Sequence, residues 1–272
     1  MTQIGLAGVA VTLALLIAGC GGEPGAPGPA WKLSWSDEFE GAAGARPDPA
    51  RWSYDLGASG WGNAELQEYT DAPSNAALDG RGNLAIVARH EGGRYTSARL
   101  KTQDRYTQRY GRIEARIRIP HGTGIWSAFW ALGDNLGDVG WPASGEIDIM
   151  ENVGHEPSVV HGSLHGPGFS AGNSLTAART LQSGAWHERF HIFAAEWSPR
   201  SIAFFVDGEE YARFRPVNLP AGGRWVFDHP FFVLLNIAVG GHWPGSPDGS
   251  TRFPQTMLVD YVRLYQRHAD AG

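Results

Sequence analysis

The chain has 272 residues, 42% of them hydrophobic and 11 of them tryptophan, enough for one sizeable core or two small ones. Its formal net charge of −6, with no cluster of Lys or Arg, excludes a partner whose phosphate backbone needs a basic track. The 37 glycines and 17 prolines, set among short β-branched and aromatic runs, predict many turns between strands and exclude a chain of long helices.

Residues 1–20 hold no charge and form the longest apolar run in the sequence, at the short limit for a membrane span. The run reads as an export signal. It ends L-I-A-G-C, which resembles the bacterial lipoprotein cleavage box, where the cysteine is lipidated and becomes the first mature residue. Cys20 is the single cysteine, so no disulfide forms within the chain. Lipidation of Cys20 and export to the bacterial cell envelope are therefore expected, with a plain secretory signal or an uncleaved anchor as the alternatives. Residues 21–30, G-G-E-P-G-A-P-G-P-A, follow as a flexible Pro/Gly-rich tether.

From Trp31 to Arg267 there is no break in composition, no repeat and no long amphipathic helix, which predicts one domain over 31–267. Strands are predicted at 83–89, 111–119, 125–132, 145–152, 158–165, 190–197, 201–207, 231–239 and 257–265, with turn residues between them. So many short strands predict an all-β sandwich or barrel. In 111–119, Ile113, Ala115, Ile117 and Ile119 share a core face, and Arg112, Glu114, Arg116 and Arg118 share a polar one. In 125–132, Trp126, Ala128 and Trp130 share a face, which sets two indoles roughly 13 to 14 Å apart at Cα. Such a row is either a sugar platform or a pair of core aromatics.

The run Gly145 to Asn152, G-E-I-D-I-M-E-N, places three carboxylates in six residues of an otherwise apolar strand. Burial in a core would cost several kcal/mol for each unpaired acid. They must instead line a polar surface, while Ile147 and Ile149 face a core behind it. Strict alternation puts Glu146 and Asp148 on one face and Glu151 on the other. A β-bulge near Met150 absorbs one residue, resets the alternation and returns Glu151 to the shared face. Two glutamates leaning together over an aspartate suit a retaining glycosidase, which needs a nucleophile and an acid/base roughly 5 to 5.5 Å apart. The aspartate's charge would help to keep the acid/base protonated.

E-I-D-I-M-E resembles the active-site strand of glycoside hydrolase family 16, in its bulged, laminarinase-like branch. The resemblance extends over nearly all of 31–267 through S-D-E-F, G-W-G-N-A-E-L-Q-E-Y-T at 60–70, Y-G-R-I-E-A-R-I-R-I-P at 110–120, G-I-W-S-A-F-W at 124–130, H-G-S-L-H-G at 161–166, L-N-I-A-V-G-G-H-W-P-G at 235–245 and V-D-Y-V-R-L-Y at 259–265. It implies a β-jelly-roll sandwich of the concanavalin A-like lectin/glucanase type with a concave substrate cleft. The implied activity is endo-hydrolysis of β-1,3-linked glucan with retention, by a monomer, with no cofactor for the chemistry. Residue by residue it makes Glu146 the nucleophile, Glu151 the acid/base and Asp148 the assisting carboxylate, with His165 beside them. Glu114 and Arg116 match cleft residues that bind sugar hydroxyls, an internal salt bridge being the alternative. Trp126, Trp130, Trp141 and Trp243 resemble sugar platforms, and Asn63 and Asn236 resemble amides that bridge hydroxyls. Ala64 and His242 stand where many relatives have Asn.

The same resemblance implies a structural calcium away from the chemistry, held by the Asp260 carboxylate and backbone oxygens near Glu38 and Gly82. No His/Cys cluster with zinc spacing, G-x-S-x-G elbow or phosphate loop competes for the function. Two other readings stay open. One is action on another polymer of the family, such as mixed-linkage glucan, agarose or carrageenan; the other is a non-catalytic glucan-binding protein, disfavoured because both glutamates are present.

Overall fold

The computed structural model describes residues 31–267, and the expectations for 1–20, Cys20 and 21–30 lie outside the described residues. All nine predicted strands form, with ends shifted by at most two residues. They are joined by eight more, among them Ser53–Asp55, Gln67–Tyr69, Arg99–Lys101 and Leu175–Thr180, most too short for any periodicity to mark them.

The strands make two sheets packed as a jelly-roll sandwich. Seven strands form one sheet in the spatial order Leu175–Thr180, Val159–His165, Glu146–Val153, Ile125–Gly133, Phe231–Val239, Arg99–Lys101, Ser53–Asp55. The ten-stranded sheet has Gly111–Arg118 near its middle, between His191–Ser198 and Gln255–Arg267. Neighbours in space that are distant in sequence, such as Ile125–Gly133 beside Phe231–Val239, are crossovers between strands of the two halves.

The core lies between the sheets because each strand turns one face inward. Ile113, Ala115 and Ile117 meet Phe129, Ala131, Ile147, Ile149, Leu235 and Ile237, and all are essentially fully buried. At about 25 cal/mol per Å² of apolar surface removed from water, this continuous layer is the main source of stability. A smaller cluster of Leu132, Phe232 and Leu234, with Leu136 and Trp130 packed on it, fills one end of the opposite face of the seven-stranded sheet. The rest of that face is left for polar groups.

The bulge lies where parity requires it. Against Val159–His165, Glu146 pairs with His165, Asp148 with Ser163 and Glu151 with His161, so three residues of one strand span two of the other. The register against Ile125–Gly133 shifts between Asp148 and Met150. Ile149 and Met150 therefore both turn into the core, at 1% and 0% exposure, opposite the single residue Gly162. Only glycine fits there: a Cβ would come within 2.4 Å of the Tyr211 hydroxyl and 2.9 Å of Phe204.

One pair of site expectations fails. Glu114 and Arg116 do point away from the core, as the alternation predicts, but from the ten-stranded sheet. That surface is on the far side of the sandwich from Glu146, Asp148 and Glu151. Glu114 is fully buried there, ion-paired with Arg112 at 2.8 Å and accepting from the hydroxyls of Tyr261 and Tyr265 at 3.3 and 3.4 Å. Arg116 donates to Asp260 at 2.6 Å. They form an internal polar network and do not face the acidic strand. Alternation within a strand separates its two faces but says nothing about which sheet the strand joins.

The residues expected to hold calcium converge only in part. Val259 pairs with Leu84, Asp37 with Val262, and the register against Gly111–Arg118 shifts between Val259 and Tyr261, which draws Glu38, Gly82 and Asp260 towards one another. Asp260 receives the Arg116 guanidinium on one carboxylate oxygen. Glu38 receives Arg263 through two hydrogen bonds of 3.0 and 2.8 Å, contacts of its carboxylate and not of its backbone oxygen. A hard cation at this place would compete with Arg116 for Asp260.

Candidate active site

Glu146, Asp148 and Glu151 project together from the outer face of the seven-stranded sheet, with Asp148 and Glu151 only 4% and 8% exposed. Each glutamate is held by an indole. Trp141 Nε1 donates to Glu146 Oε2 and Trp126 Nε1 to Glu151 Oε1, both at 3.1 Å. Between them, His165 Nε2 lies 3.0 Å from Asp148 Oδ2 and 3.6 Å from Glu146 Oε1. Trp126 reaches Glu151 because Val153 pairs with it across the ladder, and His165 reaches Asp148 from the pair next to Ser163.

Three carboxyl groups this close and this dry do not all ionise. Burial, then the charge of Asp148, pushes Glu146 up to about 8, against the opposing pull of His165, Arg99 and the Trp141 N–H. Burial holds Asp148 well above the usual carboxylate range. Glu151 is also held well above it, by burial and by the charges of Asp148 and Glu146. Arg99 and the Trp141 N–H favour the ionised form of Glu146, the Trp126 N–H favours that of Glu151, and His165 favours both. One ionised and one protonated glutamate is the state that a nucleophile and an acid need.

This arrangement costs stability with a definite sign. The folded protein binds the Glu146 proton more tightly than the unfolded chain, whose value is near 4.5, so stability present below that value is lost as pH rises through about 8. Glu146→Gln removes the ionisation and keeps the shape. The variant is expected to raise the midpoint of thermal unfolding by a few °C above pH 8 and to change it little near pH 4.5. Unfolding followed by circular dichroism at both pH values checks this, and an equal shift at both would contradict it.

The structure adds residues that sequence reasoning missed. Arg99 lies between the faces of Trp61 and Trp130, at 4.9 and 4.5 Å from the ring centres, and pairs through Nε with Asp55 at 2.9 Å. Lys101 meets the other oxygen of Asp55 at 2.6 Å. Glu65, pushed up by burial, accepts from Gln67 at 2.6 Å and from Asn63 at 3.2 Å. The weak signal for Arg99 was its alternation with Lys101 about the buried Leu100, in a strand of three residues.

These neighbours modify the expected sugar contacts. Trp130 does share a face with Trp126, but Arg99 covers one side of its ring, and its Nε1 donates to Asn236 Oδ1 at 2.8 Å. Asn236 Nδ2 donates in turn to the Tyr69 hydroxyl at 3.1 Å, so one donor and one acceptor of this amide are committed. Trp243 stands edge-on to Trp126 and His161, with ring centres 5.4 and 5.1 Å apart. Trp141 and Trp243, at 47% and 38% exposure, are the most open indoles of the site. Indole faces meet the C–H side of a pyranose, while the amides and carboxylates around them meet its hydroxyls.

Comparison with known proteins identifies the family. Residues 64–263 match the family described as glycosyl hydrolases family 16. A β-glucanase of Rhodothermus marinus is 45% identical over 248 residues, covering 88% of this chain and 86% of that protein. A glucan endo-1,3-β-glucosidase of Cryptopygus antarcticus is 36% identical, covering 94% of this chain and 98% of that one. Among solved structures, the laminarinase catalytic domain of Thermotoga maritima superposes with a TM-score of 0.82 at 45% identity, covering 88% of this chain and 99% of that one.

Proposed function

The chain belongs to glycosyl hydrolases family 16, and from that premise we propose that it cleaves β-1,3-glucosidic bonds within laminarin-like glucans, with net retention at the anomeric carbon. The observation that carries this reading is the bulge, which brings Glu146 and Glu151 to one face with Asp148 between them. In the first step the Glu146 carboxylate attacks the anomeric carbon while Glu151 gives its proton to the departing glycosidic oxygen. A covalent glycosyl-enzyme results. In the second step Glu151, now ionised, takes a proton from water, which attacks the same carbon from the opposite face and frees Glu146. Two inversions leave a β-product.

The Trp141 and Trp126 N–H groups hold each carboxylate by one oxygen and leave the other for chemistry. The substrate is uncharged on this reading, because Arg99 and Lys101 on the neighbouring wall are both committed to Asp55. Initial rates on laminarin, barley mixed-linkage glucan and agarose test the substrate, and proton NMR of the first product tests the stereochemistry. Laminarin is expected to be fastest and the first anomer to be β. Faster hydrolysis of agarose, or an α first product, would overturn the proposal.

A further inference from the structure

Two groups that can only donate fix the direction of a hydrogen-bonded network on the cleft wall beside Trp130. The Trp130 indole N–H donates to Asn236 Oδ1 at 2.8 Å, so the Asn236 amide nitrogen is the atom that faces the Tyr69 hydroxyl, at 3.1 Å. Tyr69, fully buried, receives that hydrogen and turns its own to Glu65 Oε2 at 3.3 Å. The Val239 backbone N–H donates to Gln67 Oε1 at 2.7 Å, which leaves the Gln67 amide nitrogen to donate to the same carboxylate oxygen at 2.6 Å. Both chains therefore reach Glu65 as donors.

A third donor arrives from the loop before Glu65. Asn63 Nδ2 lies 3.4 Å from the Trp61 carbonyl, which can only accept, and 3.2 Å from Glu65 Oε1. Turning this amide over would set its oxygen against two acceptors. Both hydrogens of Nδ2 are thus engaged, while among the described residues nothing donates to Asn63 Oδ1, which is left accessible. The loop is joined to the one that carries Trp243: the Asn63 carbonyl accepts from the His242 N–H at 2.8 Å, and the Leu66 N–H donates to Val239 at 2.7 Å. Ala128 pairs with Glu151 on one side and with Asn236 on the other, so Asn236 lies two strands, about 10 Å, from the acid/base.

We propose that Glu65 is a positioning residue that holds the Asn63 amide in one orientation, with its carbonyl Oδ1 presented to a hydroxyl of the bound glucan and its N–H groups turned away from the cleft. A carboxylate suits this role because both of its oxygens accept, and here they take all three donors. Burial pushes Glu65 up, and Gln67, Asn63, Arg99 and Tyr69 act against it. A glutamine at 65 keeps the shape but sets an N–H against one of the donors. Gln67 is locked by Val239, and Tyr69 by Asn236 and Trp130, so Asn63 is the one that turns. The inference rests on the glucan reading given above but adds an amide orientation, which can be read without turnover.

In the ¹⁵N-labelled full-length protein, the side-chain amide hydrogens of Asn63, assigned by their loss in Asn63→Ala, are expected to exchange with water more slowly than those of an exposed asparagine, and to lose that protection in Glu65→Gln. Exchange at the exposed rate in the parent, or unchanged protection in Glu65→Gln, would overturn the proposal whatever the activity on laminarin. On laminarin, Glu65→Gln and Asn63→Ala are each expected to raise KM about 3- to 10-fold, the scale of one hydrogen bond, with kcat kept within about twofold. The double variant is expected to match Asn63→Ala, since Glu65 acts through that amide. Effects that add in the double variant, or a fall in kcat with KM unmoved, would show a merely structural role and overturn the proposal.

Discussion

Alanine in place of Glu146 is expected to abolish release of reducing ends from laminarin, a loss of roughly 10⁴- to 10⁶-fold, the scale found when a covalent nucleophile is removed. Glu151→Ala is expected to lose on the order of 10²- to 10⁴-fold on the same polymer, and much less on an aryl glucoside whose leaving group needs no proton. The two losses are of different kinds, and azide separates them. With Glu146 gone, azide enters the vacated space below the anomeric carbon and gives an α-glycosyl azide after one inversion. With Glu151 gone, the covalent intermediate still forms, and azide captures it from the other face as the β-glycosyl azide. NMR of the azide products decides the assignment. A β-azide from Glu146→Ala, or undiminished hydrolysis of laminarin, would refute the roles given to these residues. Both variants are expected to fold, because each removes a carboxylate whose burial opposes its ionisation.

Changing the length of the acidic strand tests the same site by geometry alone. Deleting Met150 leaves the acid/base four residues after Glu146, which a regular strand places on the same face, still opposite His161. The deletion is expected to keep activity within about tenfold at a temperature where the protein is folded, and to destabilise it by about 2–5 kcal/mol through loss of a fully buried side chain. Inserting one alanine between Met150 and Glu151 does the reverse. The bulge absorbs only one extra residue, so the carboxylate turns inward towards Ile147 and Ile149, and activity falls by at least about 10³-fold. Laminarin rates with chemical denaturation of all three proteins give the comparison. Equal loss of activity in the two folded variants would mean that the bulge does not set the side-chain parity at Glu151.

The acidic strand was legible because its defect is local. Three carboxylates with one out of step admit few backbone solutions, and a bulge is the one that keeps Ile147, Ile149 and Met150 in the core. Trp126 and Trp130 were legible as outward residues for the same reason, but their partners were not. That Trp126 donates to Glu151, and that Arg99 covers a face of Trp130, depends on pairings between strands far apart in the chain. Arg99 itself sits in a strand too short to show a period. Glu114 and Arg116 mark the limit most plainly: their face was read correctly and their sheet was not.

Sequence by itself determined the fold class, the strands long enough to alternate, and the shared face of Glu146, Asp148 and Glu151. Each of these follows from the two-residue repeat of an extended backbone, which any short window contains. The tertiary structure decided the sheet to which each face belongs, the indoles that hold the two glutamates, and the donors that surround Glu65. Those depend on strand order and loop closure, which are set by burial summed over the whole domain, and no local run of residues encodes that sum.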